Sequence, residues 1–331
     1  MHSPGTLKGG IIGCGYFAQF QIEGWRRMPE VELVASADPD LARARNAAPR
    51  AYASAEEMLD HEQLDFVDIA TRPEWHLPLV RLAAERRVPA ICQKPMAPTW
   101  PDCLAMAFAS ETAATPLMIH ENWRWQPWYR KAKESIARGD IGRPVGYWFR
   151  TRRRDGLGHA PYPTQPYFVN YPRYLIYETL VHHIDTARFL FGEIATIYAQ
   201  ARRWNPAIRG EDQAILTLTH ADTTCGVIDG HRFLDTDPPN APAMGDACFE
   251  GESAALWVRA SGDLFLDDRL LWKNDVSAGY RGDSVRATQR HFIECLRSGL
   301  PFESGAQEYL KTVRAVEAAY ESLAEGRAIR I

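Results

Sequence analysis

Short apolar runs alternate with amphipathic segments over the first 120 residues of the chain. The apolar runs predict strands over residues 7–12, 31–37, 66–70, 90–92 and 117–120. The segments between them predict a helix through Ile22, Trp25 and Arg26, and helices over residues 41–47, 56–59, 75–86 and 102–109. Strands that alternate with helices indicate a doubly wound parallel sheet with helices on both faces. Ligands of such sheets bind beyond the carboxyl ends of the strands.

After about residue 121 the pattern changes to the period-two alternation of antiparallel strands. Strands are predicted over residues 145–151, 194–201, 213–219, 224–229, 247–250, 254–258 and 264–266, and helices over 128–137, 177–191, 286–297 and 306–325. We therefore expect an α/β protein with a nucleotide-binding domain over residues 1–121. An α+β domain with a large open, mostly antiparallel sheet is expected over residues 122–331. Because open sheets seldom leave a broad apolar face in water, a homodimer or homotetramer is expected.

Composition excludes several other classes of protein. The 331 residues are 46% hydrophobic, enough to bury the cores of about two domains. No run approaches the roughly 20 apolar residues of a membrane span, and residues 1–8 lack the apolar core of a secretory signal. The net charge of -4 gives no basic field for nucleic acid. With neither a membrane span nor a secretory signal, a cytoplasmic location is expected. The six cysteines are scattered, without a Cys-x-x-Cys pair or a histidine spacing that suits zinc, which predicts reduced thiols and no metal site.

One basic cluster, Arg150 with Arg152 to Arg154, has two interpretations. It is either a solvated strand edge or the rim of an anion site.

A glycine-rich turn directly follows the first predicted strand. Its sequence is Gly13-Cys14-Gly15-Tyr16-Phe17-Ala18. Gly13 permits a tight turn, Gly15 leaves room for a pyrophosphate, and Ala18 lets the next helix pack close to the strand. The phosphates would then bind at the helix N-terminus. These six residues are therefore predicted to bind a dinucleotide.

The end of the second predicted strand bears on the choice of cofactor. Asp38 stands there, in position to accept hydrogen bonds from the adenosine ribose hydroxyls. A carboxylate would repel a 2′-phosphate, so NAD is favoured over NADP. Asp38 also precedes Pro39 and a predicted helix, and an alternative role as a helix cap is compatible with ribose binding. Thr71, Arg72 and Lys94 follow the next strands and are expected at the same cleft.

Within the predicted helix 177–191, Glu178 and His182 lie one turn apart, with Asp185 on the following turn. A carboxylate beside an imidazole raises its basicity and fixes its tautomer, which makes His182 a candidate general base. His183 points about 100° away on an ideal helix. For this pair alone, a structural role for the histidine is the alternative.

These motifs together resemble the Gfo/Idh/MocA family of oxidoreductases over nearly the whole chain. The shared features are the loop 13–18, the strand end at 38–40, Thr71 followed by His76, Lys94-Pro95, the turn 141–144 and the helix that ends at Phe191-Gly192. The resemblance implies a Rossmann domain that binds NAD and a dehydrogenase that acts on a sugar or polyol. It also adds His76 and Gln93 to the expected cofactor-binding residues.

The family's two catalytic motifs map onto this chain with one change each. Its Glu-Lys-Pro motif corresponds to Gln93-Lys94-Pro95, and its Asp followed four residues later by His corresponds to Glu178 and His182. The resemblance implies that His182 takes the hydroxyl proton with Glu178 behind it. Lys94 supports the developing alkoxide while a hydride passes to the nicotinamide. No metal is implied.

The expected substrate is a small neutral sugar or cyclitol. Asn122 and Arg124, in the aromatic strip 120–129, are candidates to bind its hydroxyls together with His182. Tyr162 and Tyr167, in the Pro- and Tyr-rich segment 160–172, are further candidates. The tryptophans of the strip either stack on a sugar or pack the protein interior. The strip and the two catalytic motifs resemble the branch that contains D-apiose dehydrogenase, which implies oxidation of an aldose.

Three other functions remain open on the sequence. They are an inositol or polyol dehydrogenase, a glycosidase-type enzyme that retains NAD through a cycle of oxidation and reduction, and a non-catalytic NAD-binding regulator. A regulator would tolerate loss of Lys94 or His182, and both are present.

Overall fold

A computed structural model describes residues 5–238 and 241–331. Residues 1–4, part of the N-terminal stretch considered above, lie outside them. The described chain forms two compact units. The first contains the described residues up to Asn122 together with Asp283–Leu310, and the second contains Trp123–Gly282 and Lys311–Ile331. The segment Asp283–Leu310, expected with the second domain, thus belongs to the first unit. The assignment of nucleotide binding to residues 1–121 and of substrate binding to 122–331 stays a prediction.

The first unit contains a six-stranded parallel sheet. Its strands are β1 (Leu7–Ile12), β2 (Val31–Ala37), β3 (Arg50–Tyr52), β4 (Phe66–Ile69), β5 (Ala90–Gln93) and β6 (Leu117–His120). They are ordered β3-β2-β1-β4-β5-β6, and every pair is parallel. The strand order reverses between β1 and β4, which is where such sheets bind dinucleotides. The expected parallel sheet is confirmed, and the short edge strand β3 was not predicted.

The second unit contains a nine-stranded sheet. Its strands are β7 (Pro144–Arg152), β8 (Ile194–Arg202), β9 (Gln213–His220), β10 (Cys225–His231), β11 (Asp246–Gly251), β12 (Ala255–Val258), β13 (Leu264–Leu266), β14 (Arg269–Trp272) and β15 (Ile329–Arg330). The order is β14-β13-β12-β11-β7-β10-β9-β8-β15. All pairs are antiparallel except β7 with β10. The sheet is therefore mostly antiparallel, as expected. The sequence missed β14 and β15, two short strands at the sheet edges.

The helices agree with the predicted pattern except near Glu178. They are α1 (Ala18–Arg26), α2 (Leu41–Ala47), α3 (Ala55–His61), α4 (His76–Glu85), α5 (Trp100–Thr112), α6 (Pro127–Ala137), α7 (Val181–Phe191), α8 (Ser284–Ser298) and α9 (Ala306–Glu325). The helix predicted over 177–191 is a π-helical segment, Leu175–Leu180, followed by α7. Glu178 and His182 therefore lie on opposite sides of a π-to-α junction. In the described chain, no helix is long and apolar enough to cross a membrane.

Each unit has its own apolar core. In the first, Trp25, Phe66 and Phe292 pack edge to face or tilted, with centroids 4.8–6.5 Å apart. In the second, α7 covers one face of the sheet, where Tyr147 stacks on Phe191. The side chains that alternate with these point to the opposite face of the sheet, where apolar residues such as Ile215 and Val227 are exposed.

Candidate active site

The glycine-rich turn of the first unit has the backbone geometry that a dinucleotide requires. Gly13 has a φ of 88°, and a Cβ there would lie 2.8 Å from Thr71 Cγ2. A Cβ on Gly15 would meet no protein atom within 4 Å, so this side of the loop is open. Helix α1 begins directly after the loop at Ala18, without a side-chain N-cap or an acidic residue in its first turn. Its N-terminus thus presents the N–H groups and dipole that favour phosphate.

Asp38 connects the end of β2 to this loop. Its carboxylate accepts hydrogen bonds from the backbone N–H of Cys14 and from that of Asp40, both at 2.8 Å. The helix cap suggested for Asp38 is instead Asp40, which accepts from Ala42 N at 3.0 Å. Each oxygen of Asp38 retains a second lone pair for a ribose hydroxyl. Burial and the nearby Asp38 charge raise the pKa of the Cys14 thiol to about 12, so Cys14 remains a neutral thiol.

His76 joins the loops that follow β4 and β5. The ring is fully buried, with Nδ1 3.0 Å from Pro95 O and 3.1 Å from Met96 O, and Nε2 3.1 Å from Thr71 O. Burial lowers the pKa of the imidazole. These contacts hold the peptide after Lys94 against the end of β4. The observed contacts of His76 thus connect two loops at the carboxyl ends of the strands. Its expected contact with the cofactor stays a prediction.

Gln93 has a buried donor beside Lys94. Its side-chain carbonyl accepts from Lys94 N at 2.7 Å, whereas its buried Nε2 has no hydrogen-bond partner among the described residues. An unsatisfied buried amide costs about 1–3 kcal/mol, which an acceptor on a bound molecule would recover. The open side of Gly15, the α1 N-terminus and this donor together fit an NAD-type cofactor.

In the second unit, His182 lies at the start of α7 with its ring 4.6 Å from the Trp123 ring and nearly parallel to it, at 9°. Stacking on a buried indole fixes the plane of the imidazole. Glu178 lies in the π-helical segment, where its Oε2 accepts from Thr179 Oγ1 at 2.7 Å. The carboxylate is therefore oriented by its own neighbour in sequence.

The adjacent histidine has a different environment. Thr151 Oγ1 donates to Met244 O at 3.0 Å and lies 2.7 Å from His183 Nε2, so His183 Nε2 is the donor of that pair. Burial, followed by the neighbouring His182, lowers the pKa of His183 to about 3. A neutral imidazole bonded into the sheet has a structural role, in agreement with the expected difference between the two histidines.

The candidate substrate residues are already engaged within the protein. Arg124 forms two hydrogen bonds to the Asp185 carboxylate, at 2.8 and 2.7 Å, with both side chains buried. Asn122 Nδ2 donates to Ser284 Oγ at 2.9 Å. Tyr162 is buried against Tyr174, at a centroid distance of 4.8 Å. These contacts give each residue a structural role, and its binding of substrate stays a prediction.

Tyr167 accepts a hydrogen bond from Gln165 at 2.6 Å and is half-buried. Of the strip's tryptophans, Trp123 and Trp128 are buried, which favours the packing alternative for these two rings. Arg152 is buried and bonded to Asp229. That member of the basic cluster is therefore neither solvated nor a free anion ligand.

The sequence did not predict the contacts that surround Glu178. Thr179, Asp155 and Arg232 form one hydrogen-bonded chain with it, and Glu211 accepts from the backbone N–H groups of Tyr174 and Ile176. Only the tertiary structure brings Asp155, Glu211 and Arg232 to this segment, because they come from distant parts of the chain. A cavity of about 860 Å³ lies in the same unit, lined by Trp204, His231 and Phe233 among others.

Comparison with protein families identifies the chain. Residues 7–120 match the oxidoreductase family with an NAD-binding Rossmann fold, and residues 129–246 match the GFO/IDH/MocA C-terminal domain. The chain belongs to the Gfo/Idh/MocA family. The resemblance inferred from the motifs is thus confirmed, and residues 7–120 have the NAD-binding Rossmann fold of this family.

Individual relatives extend this similarity over almost the whole chain. D-apiose dehydrogenase of Paraburkholderia graminis is 36% identical over 98% of this chain and 90% of that protein. D-apiose dehydrogenase of Rhizobium rhizogenes is 35% identical, covering 98% and 97%. A crystal structure of an oxidoreductase from Agrobacterium radiobacter in complex with NAD+, L-tartaric acid and magnesium superposes with a TM-score of 0.89. That protein is 33% identical, with 98% of both chains covered.

Proposed function

We propose that this protein oxidises a hydroxyl of a small neutral aldose, D-apiose or a close analogue, with NAD as the hydride acceptor. The observation that carries the proposal is the identity of 35–36% to two D-apiose dehydrogenases over 98% of the chain. The presence of both a lysine at position 94 and a histidine at position 182 supports turnover over a regulatory role.

The proposed roles follow from the chemistry of the residues. Bound at the loop 13–18, NAD would supply the acceptor for the hydride of the carbinol carbon. His182, with its ring plane held by Trp123, takes the hydroxyl proton, and the Glu178 carboxylate stabilises the imidazolium that results. Lys94 donates a hydrogen bond to the oxygen as negative charge develops there.

The cofactor preference and the assembly are further parts of the proposal. Asp38 would repel a 2′-phosphate, which favours NAD over NADP. On the face of the second sheet away from α7, Ile215 and Val227 are 39% and 37% exposed in adjacent strands, with Trp148 beside them. A homodimer or homotetramer that covers this face would remove the exposed apolar surface from water. The cytoplasmic location expected from the sequence stays a prediction.

The test is the absorbance of reduced nicotinamide when the purified protein meets NAD or NADP and a panel of aldoses that includes D-apiose, with inositols added. Turnover of an aldose with NAD supports the proposal. Turnover of an inositol but of no aldose would show that the substrate is a cyclitol and not an aldose. A tightly retained cofactor without net reduction would favour the glycosidase-type enzyme, and NAD binding without any turnover would favour a regulator.

Two variants test the proton path directly. Lys94→Ala and His182→Ala should each lower kcat/KM by about a hundredfold or more, because each removes a group that handles the hydroxyl proton or its charge. Lys273→Ala and His61→Ala are matched controls at exposed positions and should keep normal activity. Near-normal turnover in either active-site variant would contradict the assigned roles.

A further inference from the structure

We propose that Thr179 and Arg232 are positioning residues that orient the Glu178 carboxylate for its action on His182. The inference rests on the proposed function. The four side chains of Asp155, Arg232, Thr179 and Glu178 form a continuous hydrogen-bonded chain, which ends at the carboxylate four residues before His182.

The direction of this chain is fixed by the chemistry of arginine. Arg232 NH1 donates to Thr179 Oγ1 at 3.1 Å, and a guanidinium has donors only. The single hydroxyl proton of Thr179 is therefore directed away from Arg232, and it is donated to Glu178 Oε2 at 2.7 Å. A hydroxyl held as a donor favours the ionised form of the carboxylate that accepts from it. Thr179 is 2% exposed, so water does not compete strongly for these bonds.

Arg232 is held rigidly enough to orient its partner. Its Nε and NH2 donate to the two oxygens of Asp155 at 2.8 and 2.7 Å. The guanidinium lies over the rings of Tyr162 and Tyr174, at 5.3 and 5.6 Å from their centroids. A Cβ on Gly156 would come within 2.7 Å of Arg232 Cβ, so the loop packs directly against this residue. The Arg232 side chain is buried and that of Asp155 is 32% exposed, so the guanidinium is held by a partly buried ion pair as well as by the two rings.

The backbone that carries Glu178 is held from a different side. The Glu211 carboxylate accepts from Tyr174 N at 3.2 Å and Ile176 N at 3.0 Å, at the start of the π-helical segment. Tyr320 donates to the same carboxylate at 2.6 Å. Because the backbone is fixed independently, loss of the Thr179 hydroxyl should release the Glu178 side chain without unwinding the segment.

The position therefore suits a pair of conservative substitutions. Thr179→Val keeps the shape of the side chain and removes the hydroxyl, whereas Thr179→Ser keeps the hydroxyl. We expect the valine variant to lower kcat by about tenfold to a hundredfold, since it impairs general-base catalysis only in part. KM for NAD should be unchanged in both variants. The serine variant should stay within about threefold of the wild-type kcat, and Thr112→Val, at an exposed helix end, should have wild-type kinetics.

A second readout does not depend on turnover. The ring resonances of His182 in the NMR spectrum of the NAD-free protein, assigned with His182→Ala, should move in Thr179→Val and stay in place in Thr179→Ser. If the wild type oxidises no sugar, the proposed function fails, and these resonances still decide the orienting role. An unmoved resonance in the valine variant overturns the inference. Equal loss of kcat in the valine and serine variants also overturns it, because the effect would then come from packing.

Discussion

Asp68 of strand β4 should make the free energy of unfolding strongly dependent on pH. Its carboxylate is fully buried and accepts hydrogen bonds from Trp25 Nε1 at 2.7 Å and Gln21 Nε2 at 3.1 Å. Neither donor carries a charge, so burial dominates and raises the pKa of Asp68 from 3.8 to about 7. Between these two pH values the folded protein retains a proton that the unfolded chain has released.

The sign and size of the effect follow from this difference in bound protons. With more protons bound in the folded state, the free energy of unfolding falls as pH rises, by about 1.4 kcal/mol per pH unit for one group. Over the window from pH 4 to pH 7 this contribution sums to about 4 kcal/mol. The Asp68→Asn variant has no group at this position that can ionise, so its free energy of unfolding should lack this fall with pH. Its stability relative to the wild type should therefore improve steadily as pH rises through the window.

Urea unfolding followed by circular dichroism at several pH values between 4 and 8 measures this difference. Asp268→Asn, at an exposed turn, is the matched control and should show no such trend. NMR of ¹³C-labelled aspartate should also show a carboxyl resonance that titrates near neutral pH and is missing in Asp68→Asn. A constant stability difference between Asp68→Asn and wild type across this range would refute the reasoning.

Three further substitutions have definite expected outcomes. Asp38→Ala should raise the KM for NAD, and it should reduce the ratio of kcat/KM for NAD to that for NADP about tenfold or more, because no carboxylate then repels a 2′-phosphate. Initial rates with each cofactor measure this ratio, and an unchanged ratio would contradict the role of Asp38. Gly226→Ala would place a Cβ 1.9 Å from Tyr147 Cζ and should cost about 1–3 kcal/mol in thermal unfolding; wild-type stability would show that this ring moves freely. Arg124→Met would leave the Asp185 carboxylate buried without its ion pair and should cost about 3–5 kcal/mol. If stability is kept while the KM for sugar rises, Arg124 binds substrate.

The Rossmann half of the fold could be predicted because its signals are local. The apolar runs and the turn from Gly13 to Ala18 act through neighbouring residues, and Asp38 is marked by its place at the end of the second apolar run. Parallel strands buried on both faces have long apolar runs. The missed strands β3, β14 and β15 are short segments at sheet edges. They form only because a neighbouring strand supplies their hydrogen-bond partners, which no short window of sequence records.

The sequence by itself determined the family, the nucleotide loop and the identity of the residues proposed for catalysis, Lys94 and His182. Only the tertiary structure decided how Glu178 is held. The expected regular helix is a π-helical segment there, and the groups that fix it come from residues far apart in the chain, among them Asp155, Glu211 and Arg232. Hydrogen bonds between distant residues depend on the packing of whole elements, whereas a motif depends on spacing along the backbone. The tertiary structure likewise placed Arg124 in an ion pair and left Gln93 with an unsatisfied donor.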